Sequence, residues 1–483
     1  MNPSEPVVIH WFRRDLRLSD NLALHAAAAT GRRVMPVFIF DPALLRGERF
    51  SPARLMFMLR TLASLQDAIR QRGGRLVIRH GAPEKVLPQL VETSAAEAVY
   101  ANRDYSSYAV RRDEQLAADL PVSLHLFDDA LIHPPEQVQT QDGRPFVVFT
   151  PFKRQWLMLP KPLPAAWEDA TLRFADAGED AGALPTLEDL GVKATFDVPE
   201  VGEKHAQDML ETFAAGAIDQ YGERRDRLLI DPFSPASPRW TSGLSPYLRF
   251  GALSPRMAYH AAMRRRAEAE SSAARASVDT WISELVWREF YMHILYHFPH
   301  VMNTSFRREY EQVEYRHAPE ELLAWQEGMT GYPVVDAAMR QLKAIGWMHN
   351  RARMITASFL TKDLLIYWRE GETYFMRHLI DGDPAANNGG WQWSAGTGTD
   401  AQPYFRIFNP MFQSQKFDPE GHYIRYWVPE LRNVPTEFIH TPWQMPQPPK
   451  DYPKPIVDHY FARDRTLAAF NAIKAQAQKE ANP

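Results

Sequence analysis

The stretch VVIHWFRRDLRLSDNLALHAAAATGRRVMPVFIF, residues 7–40, decides the fold of the first part of the chain. Two apolar, strand-like runs, residues 7–12 and 34–40, flank an alanine-rich helical segment. The alternation continues to about residue 128 and gives five short strands with four intervening helices. This order predicts a parallel five-stranded sheet covered by helices on both faces.

The helix between the second and third strands has clear end signals. Ser51 is the predicted N-cap, Pro52 takes the first helical position, and Gly73 with Gly74 ends the helix. Neither a GxGxxG motif after the first strand nor a GxxxxGK[ST] motif is present. A standard dinucleotide or P-loop site is therefore disfavoured in this part of the chain.

Composition limits the chemistry that the chain can perform. Its 483 residues include no cysteine, which excludes disulfides, iron–sulfur clusters, thiolate zinc sites and cysteine nucleophiles. The formal net charge of −4 gives no sign of nucleic-acid binding, so a basic site must be a local patch. No apolar run reaches the about 18 residues of a membrane helix, and the polar start lacks a secretory signal. We expect a soluble, cytoplasmic protein with no membrane partner.

The pattern becomes helical after a connection rich in proline and acidic residues. Beyond this connection, several segments repeat apolar residues at a spacing of about 3.6. We therefore expect an α/β domain over residues 1–130, an interdomain linker over residues 131–203, and a larger all-α domain over residues 204–483.

A helix predicted over about residues 277–298 carries an unusual face. Spacings of three, four and seven place an acid, an indole, a guanidinium and a phenol together, namely Glu284, Trp287, Arg288 and Tyr291. The alternative is that Trp287 packs in the core while Glu284 and Arg288 form a surface ion pair.

The segment GWMHNRARM, residues 346–354, places Asn350 and Met354 four apart on another predicted helix, beside Arg351 and Arg353. An amide and a thioether near arginines suit a flat ligand with carbonyl edges. The alternative is that the methionine fills a gap in the core, which is its more frequent use.

Residues 381–404, DGDPAANNGGWQWSAGTGTDAQPY, are rich in glycine, so we expect no long helix here. They could form a plain surface loop, a metal site through Asp381 and Asp383, or a binding platform on which Trp391 or Trp393 stacks. A metal site is disfavoured because no further His or Glu lies at a usable spacing.

The segment WTSGLSPYLRFGALSP, residues 240–255, places hydroxyls and glycines just before predicted helices. Such donors at helix starts bind phosphate, and the scarcity of lysine would fit the pyrophosphate of FAD better than a free nucleotide. Ordinary N-capping by Ser245 and Ser254, ahead of Pro246 and Pro255, explains the pattern nearly as well.

Seven segments together resemble the DNA photolyase and cryptochrome family, most closely bacterial class I cyclobutane pyrimidine dimer photolyases. They are WFRRDLRLSDN, TSGLSPYL, ELVWREFY, TGYPVVDAAMRQL, GWMHNRARM, DGDPAANNGGWQW and YFRIFNP. The resemblance implies an antenna domain with a Rossmann-like sheet and a helical domain that holds FAD. It also implies light-driven repair of pyrimidine dimers in DNA by an electron from excited reduced FAD. We expect a monomer.

The resemblance also implies which residues bind FAD. One group would meet the phosphates and the ribityl chain: Tyr221, Thr241, Ser242, Leu244 and Ser245. A second group would surround the rest of the cofactor: Trp281, Arg288, Asn350, Arg353, Asp381, Asp383 and Asn387. Asn387 would face flavin N5, where repair enzymes use an amide to favour fully reduced flavin.

The substrate implied by the resemblance is UV-damaged DNA whose pyrimidine dimer is flipped out of the duplex. Aromatic walls would come from Trp287 and Trp393, and contacts to base edges from Glu284, Asn350 and Met354. Candidates for phosphate contacts are Lys153, Arg351, Arg406 and Lys416. Photolyases of the six-four photoproduct carry histidine where this chain has Met354, which disfavours that substrate.

The family's electron relay to flavin usually has three tryptophans, and this chain departs from that pattern. Trp391 and Trp368 match the inner two positions, whereas Tyr315 stands at the outer one. A tyrosine radical must lose its proton, and Glu314 and His317 lie close in sequence. We expect the inner pair to be indispensable for photoreduction and the outer position to tolerate substitution.

The antenna pigment follows from a second comparison with the family's patterns. The folate pattern expects Asn-Glu at residues 108–109 and Cys-Lys at residues 302–303, where this chain has Tyr-Ala and Met-Asn. The segments around Asp41 and Arg54 instead resemble the branch that binds 8-hydroxy-5-deazaflavin or flavin. These pigments are therefore favoured over 5,10-methenyltetrahydrofolate.

Three other functions remain as alternatives. The first is a cryptochrome-type blue-light photoreceptor without repair activity, and the second is a cryptochrome specific for single-stranded DNA. The third is an α/β nucleotide enzyme with a helical lid, which a colourless purified protein would favour.

Overall fold

The computed structural model describes residues 5–167, 172–176, 181–193 and 196–481, with side chains to residue 473. The chain divides into two compact units, residues 1–222 with 241–299 and residues 223–240 with 300–483. The domain boundaries placed near residues 130 and 203 stay a prediction. Parts of the predicted linker, at 168–171, 177–180 and 194–195, lie outside the described residues.

A parallel sheet of five strands opens the first unit. The strands are β1 (Val7–Phe12), β2 (Arg33–Phe40), β3 (Val77–His80), β4 (Ala98–Asn102) and β5 (Ser123–Phe127). Their order is β3-β2-β1-β4-β5, and each neighbouring pair is parallel, with Val8 opposite Val34 in the central pair. This confirms the predicted sheet. The order reverses between β1 and β4, where sheets of this kind form a crevice at the carboxyl ends of their strands.

Helices follow the strands and complete the first unit. Those of the sheet region are α1 (Leu22–Ala29), α2 (Pro52–Gln71), α3 (Pro83–Ser94) and α4 (Ser107–Asp119). Later helices are α5 (Phe149–Met158), α6 (Glu203–Ala214), α7 (Tyr221–Arg224), α8 (Ser245–Phe250), α9 (Pro255–Glu268) and α10 (Ser272–His297).

The predicted cap of α2 is confirmed, because Ser51 Oγ accepts a hydrogen bond from the Arg54 N–H at 3.2 Å. Of the two serines whose capping was the alternative to phosphate binding, Ser254 caps α9. Ser245 is not an N-cap. It is the first residue of α8, after Leu244, because the chain already turns into the helix one residue earlier.

A buried ion-pair network joins the sheet region to α9 inside the first unit. Asp129, which follows β5, accepts from Arg17 at 2.7 Å and from Arg256 at 2.6 Å. Asp20 pairs with Arg256 at 3.1 Å. All four side chains are about 1% exposed. Two positive and two negative charges therefore compensate each other where water cannot solvate them.

All regular secondary structure in the described residues of the second unit is helical. Its helices are α11 (Pro319–Glu327), α12 (Pro333–Ile345), α13 (Asn350–Ser358), α14 (Trp368–His378), α15 (Pro384–Ala395), α16 (Pro410–Phe417), α17 (His422–Trp427) and α18 (His459–Ala481). A π-helical turn, Phe359–Asp363, lies between α13 and α14. Shorter 3₁₀ turns along the chain are Ala217–Gln220, Pro299–Met302, Arg308–Gln312, Pro429–Leu431 and Pro442–Gln444. None of the helices in the described ranges is long and apolar enough to cross a membrane.

Helix α15 corrects the expectation that its glycine-rich sequence would not form a long helix. Asp383 caps its start by accepting from the backbone N–H two residues on at 2.9 Å, and Gly396 ends it with φ of +77°. Trp391 packs so tightly against Gly371 of α14 that a Cβ on this glycine would lie 2.0 Å from the indole. Caps and tertiary packing therefore outweigh a low intrinsic propensity.

Candidate functional site

Helix α10 presents the predicted aromatic face in the first unit. Trp287 is half-buried, so it is not a core residue. Phe149, the first residue of α5, stacks on the indole with ring centroids 3.6 Å apart and an interplanar angle of 6°. Tyr291 lies 5.4 Å from the same ring. Arg288 donates to the backbone carbonyl of Ala130 at 2.7 Å.

Helix α5 brings a second predicted residue to α10. Lys153 is half-buried, and its Nζ donates to Ser283 Oγ at 2.5 Å. Phe149 lies four residues before Lys153, so both project from one side of α5. Phe149 was missed by the sequence analysis, and this spacing from a predicted phosphate ligand is the signal that could have identified it.

The predicted cofactor residues of the first unit differ in burial. Tyr221 and Trp281 are 7% and 4% exposed, and both pack on Phe213, at ring distances of 6.0 and 5.7 Å. Ser277 of α10 accepts from the backbone N–H of Gly222 at 2.7 Å, which fixes the chain beside Tyr221. The remaining members lie just before or at the start of α8: Leu244 is buried, Thr241 and Ser242 are half-buried, and Ser245 is exposed.

Helix α13 positions the predicted amide and thioether of the second unit. His349 caps the helix, its Nδ1 accepting from the Arg351 N–H at 3.1 Å. Burial lowers the pKa of His349 to about 4, so the ring is neutral at pH 7 and can accept this bond. Asn350 Nδ2 lies 3.7 Å from Met354 Sδ, as the spacing of four predicts.

The predicted phosphate ligands of the second unit are not equivalent. Arg351 pairs with Asp226 at 2.8 Å and lies over the ring of Phe417 at 4.5 Å. Arg406 and Lys416 are exposed. A phosphate could therefore approach these two directly, whereas at Arg351 it would compete with a carboxylate already in place.

The remaining cofactor candidates of the second unit are held by hydrogen bonds. Arg353 donates to Asp381 at 2.8 Å, and Asp383 is the cap of α15. Asn387 is half-buried, and its Nδ2 donates to the backbone carbonyl of Glu372 at 3.0 Å and to the Glu372 carboxylate at 3.1 Å. These bonds fix the amide with its NH₂ group engaged by the protein, which leaves Oδ1 to accept from a ligand.

The two inner relay candidates are buried in the core of the second unit. Trp391 is 2% exposed and packs edge-to-face on Phe375 and Trp325, at 4.9 and 6.0 Å. Trp368 is fully buried, and its Nε1 donates to Ser305 Oγ at 3.1 Å.

The outer relay candidate, Tyr315, lies beside a further tyrosine that the sequence analysis missed. The Tyr315 ring is 5.1 Å from that of Tyr367, which in turn is 5.6 Å from Trp368. Tyr315 donates to the Tyr310 carbonyl at 3.5 Å. The signal that could have identified Tyr367 is its place directly before a predicted relay tryptophan.

The antenna candidates lie at the carboxyl end of β2 and on α2. Asp41 accepts hydrogen bonds from the Tyr108 hydroxyl and, at 2.9 Å, from the Ala43 N–H. Arg54 is half-buried and donates to the Arg49 carbonyl at 2.6 Å. Tyr108 thus takes part in an acid–phenol contact at the position where the folate pattern expects asparagine.

A cationic aromatic cluster lies at the end of β1, where the strand order reverses. The guanidinium groups of Arg13 and Arg112 lie 4.8 and 4.7 Å from the ring of Trp11. Asp113 accepts from both arginines, at 2.7 and 2.9 Å. The sequence analysis missed this cluster because its parts come from two segments about 100 residues apart in the chain.

Comparisons with known proteins match most of the chain. A family model described as DNA photolyase matches residues 8–168, and one described as the FAD binding domain of DNA photolyase matches residues 281–472. A Synechococcus relative named deoxyribodipyrimidine photo-lyase is 43% identical over 99% of both chains. Two solved structures are also similar. A bacterial class III photolyase from Agrobacterium tumefaciens has a TM-score of 0.87 and 38% identity, covering 98% of this chain and 99% of that one. An archaeal photolyase from Sulfolobus tokodaii, described as holding two FAD molecules, has a TM-score of 0.82 and 32% identity, covering 96% of this chain and 100% of that one.

Proposed function

This chain belongs to the DNA photolyase family, and we propose that it uses the candidate residues above to bind FAD and repair pyrimidine dimers in UV-damaged DNA with light. The observation that carries the proposal is 43% identity over 99% of the chain to a relative named deoxyribodipyrimidine photo-lyase. Reduced FAD, when bound and excited, supplies one electron that opens the cyclobutane ring and is then returned. The protein's own residues bind and orient FAD and the dimer, and they exclude water.

Two groups of donors fit parts of FAD. The hydroxyls of Thr241, Ser242 and Ser245 suit phosphate and ribityl oxygens. The Asn387 amide is oriented by Glu372, and its Oδ1 would accept a hydrogen bond from the N5–H of reduced flavin. An acceptor there favours the reduced cofactor that repair requires. It also argues against a photoreceptor without repair activity, since cryptochromes usually carry another residue at this position.

We expect denaturation of the purified protein to release FAD in about equal molar amount. The reason is that the family model for FAD binding matches residues 281–472. Chromatography of the supernatant after heating identifies the flavin. Release of FMN alone, or of no flavin at all, from freshly purified protein would contradict the cofactor assignment.

The substrate proposal places the flipped-out dimer against aromatic rings. Trp287, with Phe149 stacked on it, would offer one stacking surface. Half-buried Trp393 would offer another. Asn350 and Met354, side by side on α13, would contact base edges. The dimer would first leave the duplex, because enzymes that act on a base take it out of the stack. We propose that a monomer of this protein then binds it.

Truncation of either tryptophan wall should weaken binding to dimer-containing DNA. We expect Trp287→Ala and Trp393→Ala each to cost about 1–3 kcal/mol, because each removes one stacking surface. Affinity for an oligonucleotide with one thymine dimer is measured at one fixed salt concentration, since phosphate contacts make it salt-dependent.

The matched control is Trp287→Phe, which keeps a ring and should retain most of the affinity. An undamaged oligonucleotide of the same sequence reports nonspecific binding. Folded alanine variants that bind the dimer as tightly as the parent protein would show that the pocket is elsewhere.

We also infer a second, light-harvesting chromophore in the first unit. Support comes from the relative described as holding two FAD molecules and from the sequence around Asp41 and Arg54. The acid–phenol contact between Asp41 and Tyr108 replaces the amide that a folate site expects. A deazaflavin (8-hydroxy-5-deazaflavin) or a flavin is therefore favoured over 5,10-methenyltetrahydrofolate.

A further inference from the structure

We propose that Tyr367, rather than Tyr315, is the last electron donor in the relay that reduces the resting flavin under light, and that Glu311 accepts its proton. The inference rests on the proposed function, since it needs oxidised FAD as the electron acceptor. It concerns recovery of the reduced cofactor, which is a separate step from repair.

The packing of aromatic rings leads to Tyr367. Trp391 packs against Gly371, which lies three residues after Trp368 and therefore on the same side of α14. Tyr367 is in ring contact with Trp368 at 5.6 Å and with Tyr315 at 5.1 Å. An electron that passes from Tyr315 to Trp368 along these contacts would cross the Tyr367 ring.

The hydroxyl groups of the two tyrosines differ in their hydrogen-bond acceptors. Tyr367 donates to both carboxylate oxygens of Glu311, at 2.9 and 3.0 Å. Within the described residues, Tyr315 donates only to the backbone carbonyl of Tyr310, at 3.5 Å, which is the outer limit of a hydrogen bond. A phenol that loses an electron becomes a strong acid, and a carboxylate can take its proton whereas an amide carbonyl cannot. Tyr367 is therefore the better terminal donor.

The same carboxylate is connected to the preceding relay residue. The backbone N–H of Ser305 donates to Glu311 Oε1 at 2.8 Å, and Ser305 Oγ accepts from Trp368 Nε1 at 3.1 Å. A negative charge two hydrogen bonds from the indole favours a transient positive charge on Trp368. Glu311 is exposed, so a proton that it accepts can pass to water.

The pKa of the Tyr367 phenol bears on its protonation state before oxidation. Burial, together with the hydrogen bond to Glu311 and its charge, raises this pKa above its ordinary value. The phenol is therefore protonated at pH 7, and the proton moves only when the ring is oxidised.

The proposed step balances in electrons and protons. One electron leaves Trp391 for the light-excited oxidised flavin, one from Trp368 replaces it, and one from Tyr367 replaces that. The O–H bond of Tyr367 breaks, its proton goes to Glu311, and a neutral tyrosyl radical remains. A thiol in solution then returns one electron and one proton to the phenol oxygen.

The test compares Tyr367→Phe, Glu311→Gln and Tyr315→Phe in the FAD-loaded protein. Blue light and a thiol reduce the flavin, and rapid freezing traps the radical for electron paramagnetic resonance. We expect the tyrosyl signal to disappear in Tyr367→Phe and to persist in Tyr315→Phe. Glu311→Gln should slow radical formation by about 100-fold, the lower end of what a positioned proton acceptor contributes. The parent protein should also react more slowly in D₂O.

A fourth variant keeps the proposal falsifiable if Glu311→Gln changes the local fold. Tyr367→Trp supplies a ring that is oxidised without losing its proton, so adding Glu311→Gln to it should slow photoreduction far less than Glu311→Gln does in the parent protein. Loss of the tyrosyl signal in Tyr315→Phe would overturn the proposal. Equal rates of flavin photoreduction in Tyr367→Phe and the parent protein would also overturn it.

Repair by chemically reduced parent protein is measured in parallel. Failure of that repair would refute the proposed function. Normal repair together with either contrary result for the tyrosine variants would refute the relay assignment alone.

Discussion

Trp391→Phe is expected to abolish light-driven reduction of the oxidised flavin. Phenylalanine is much harder to oxidise than tryptophan, and Trp391 occupies the first position of the relay inferred from the family resemblance. Chemically reduced protein should still repair dimers at most of its original rate, because repair moves an electron between flavin and dimer only. The measurement is the bleaching of oxidised flavin under blue light with a thiol, followed by a repair assay after dithionite reduction.

Trp325→Phe is the matched control for this variant. Trp325 is also fully buried, and its ring lies 6.0 Å from Trp391 on the same core, so its loss tests packing without interrupting the relay. We expect Trp325→Phe to retain photoreduction. Equal bleaching rates in Trp391→Phe and the parent protein would show that electrons reach the flavin by another route.

The second large effect concerns stability. We expect Asp129→Asn to lower the free energy of unfolding by about 3–5 kcal/mol, because Arg17 and Arg256 would lose a buried counter-charge. Urea denaturation followed by circular dichroism measures the change. If unfolding is not two-state, the two proteins are compared by the urea concentration at the midpoint of the transition in which the first unit unfolds.

Asp197→Asn is the control for the buried network. Asp197 also pairs with an arginine, Arg60, at 2.5 Å, but its side chain is 80% exposed. Exposed ion pairs contribute about 0–1 kcal/mol, so this change should be almost neutral. If both asparagine variants had the same free energy of unfolding, the buried network would contribute no more to stability than an exposed ion pair does.

The sequence predicted the parts of the fold whose signals are local. Strands β1 and β2 are buried on both faces, and continuous runs of β-branched residues identify such strands without knowledge of their neighbours. Helix α2 carries its own start and stop signals, and the structure confirms them. Helix α15 was not predicted because its stability depends on Gly371 of another helix, which the glycine-rich sequence does not reveal.

The candidate sites show the same limit. Asn350 and Met354 are four residues apart, so a helical spacing sufficed to place them side by side. Tyr367 and Glu311 are hydrogen-bonded but lie 56 residues apart in sequence, so no local sequence pattern predicts their contact. The stacking of Phe149 on Trp287 likewise joins two helices that lie far apart in sequence. Long-range contacts of this kind decide which polar or aromatic group acts, and they require the folded chain.

Light-dependent repair is the most direct test of the central claim that this chain repairs pyrimidine dimers with bound FAD. The measurement counts thymine dimers removed from a defined oligonucleotide by dithionite-reduced protein under blue light and in the dark, per released FAD. We expect several dimers to be removed per FAD in the light and none in the dark, with no net consumption of reductant. Removal at equal rates in the dark, or no removal by folded, FAD-loaded protein in the light, would contradict the account.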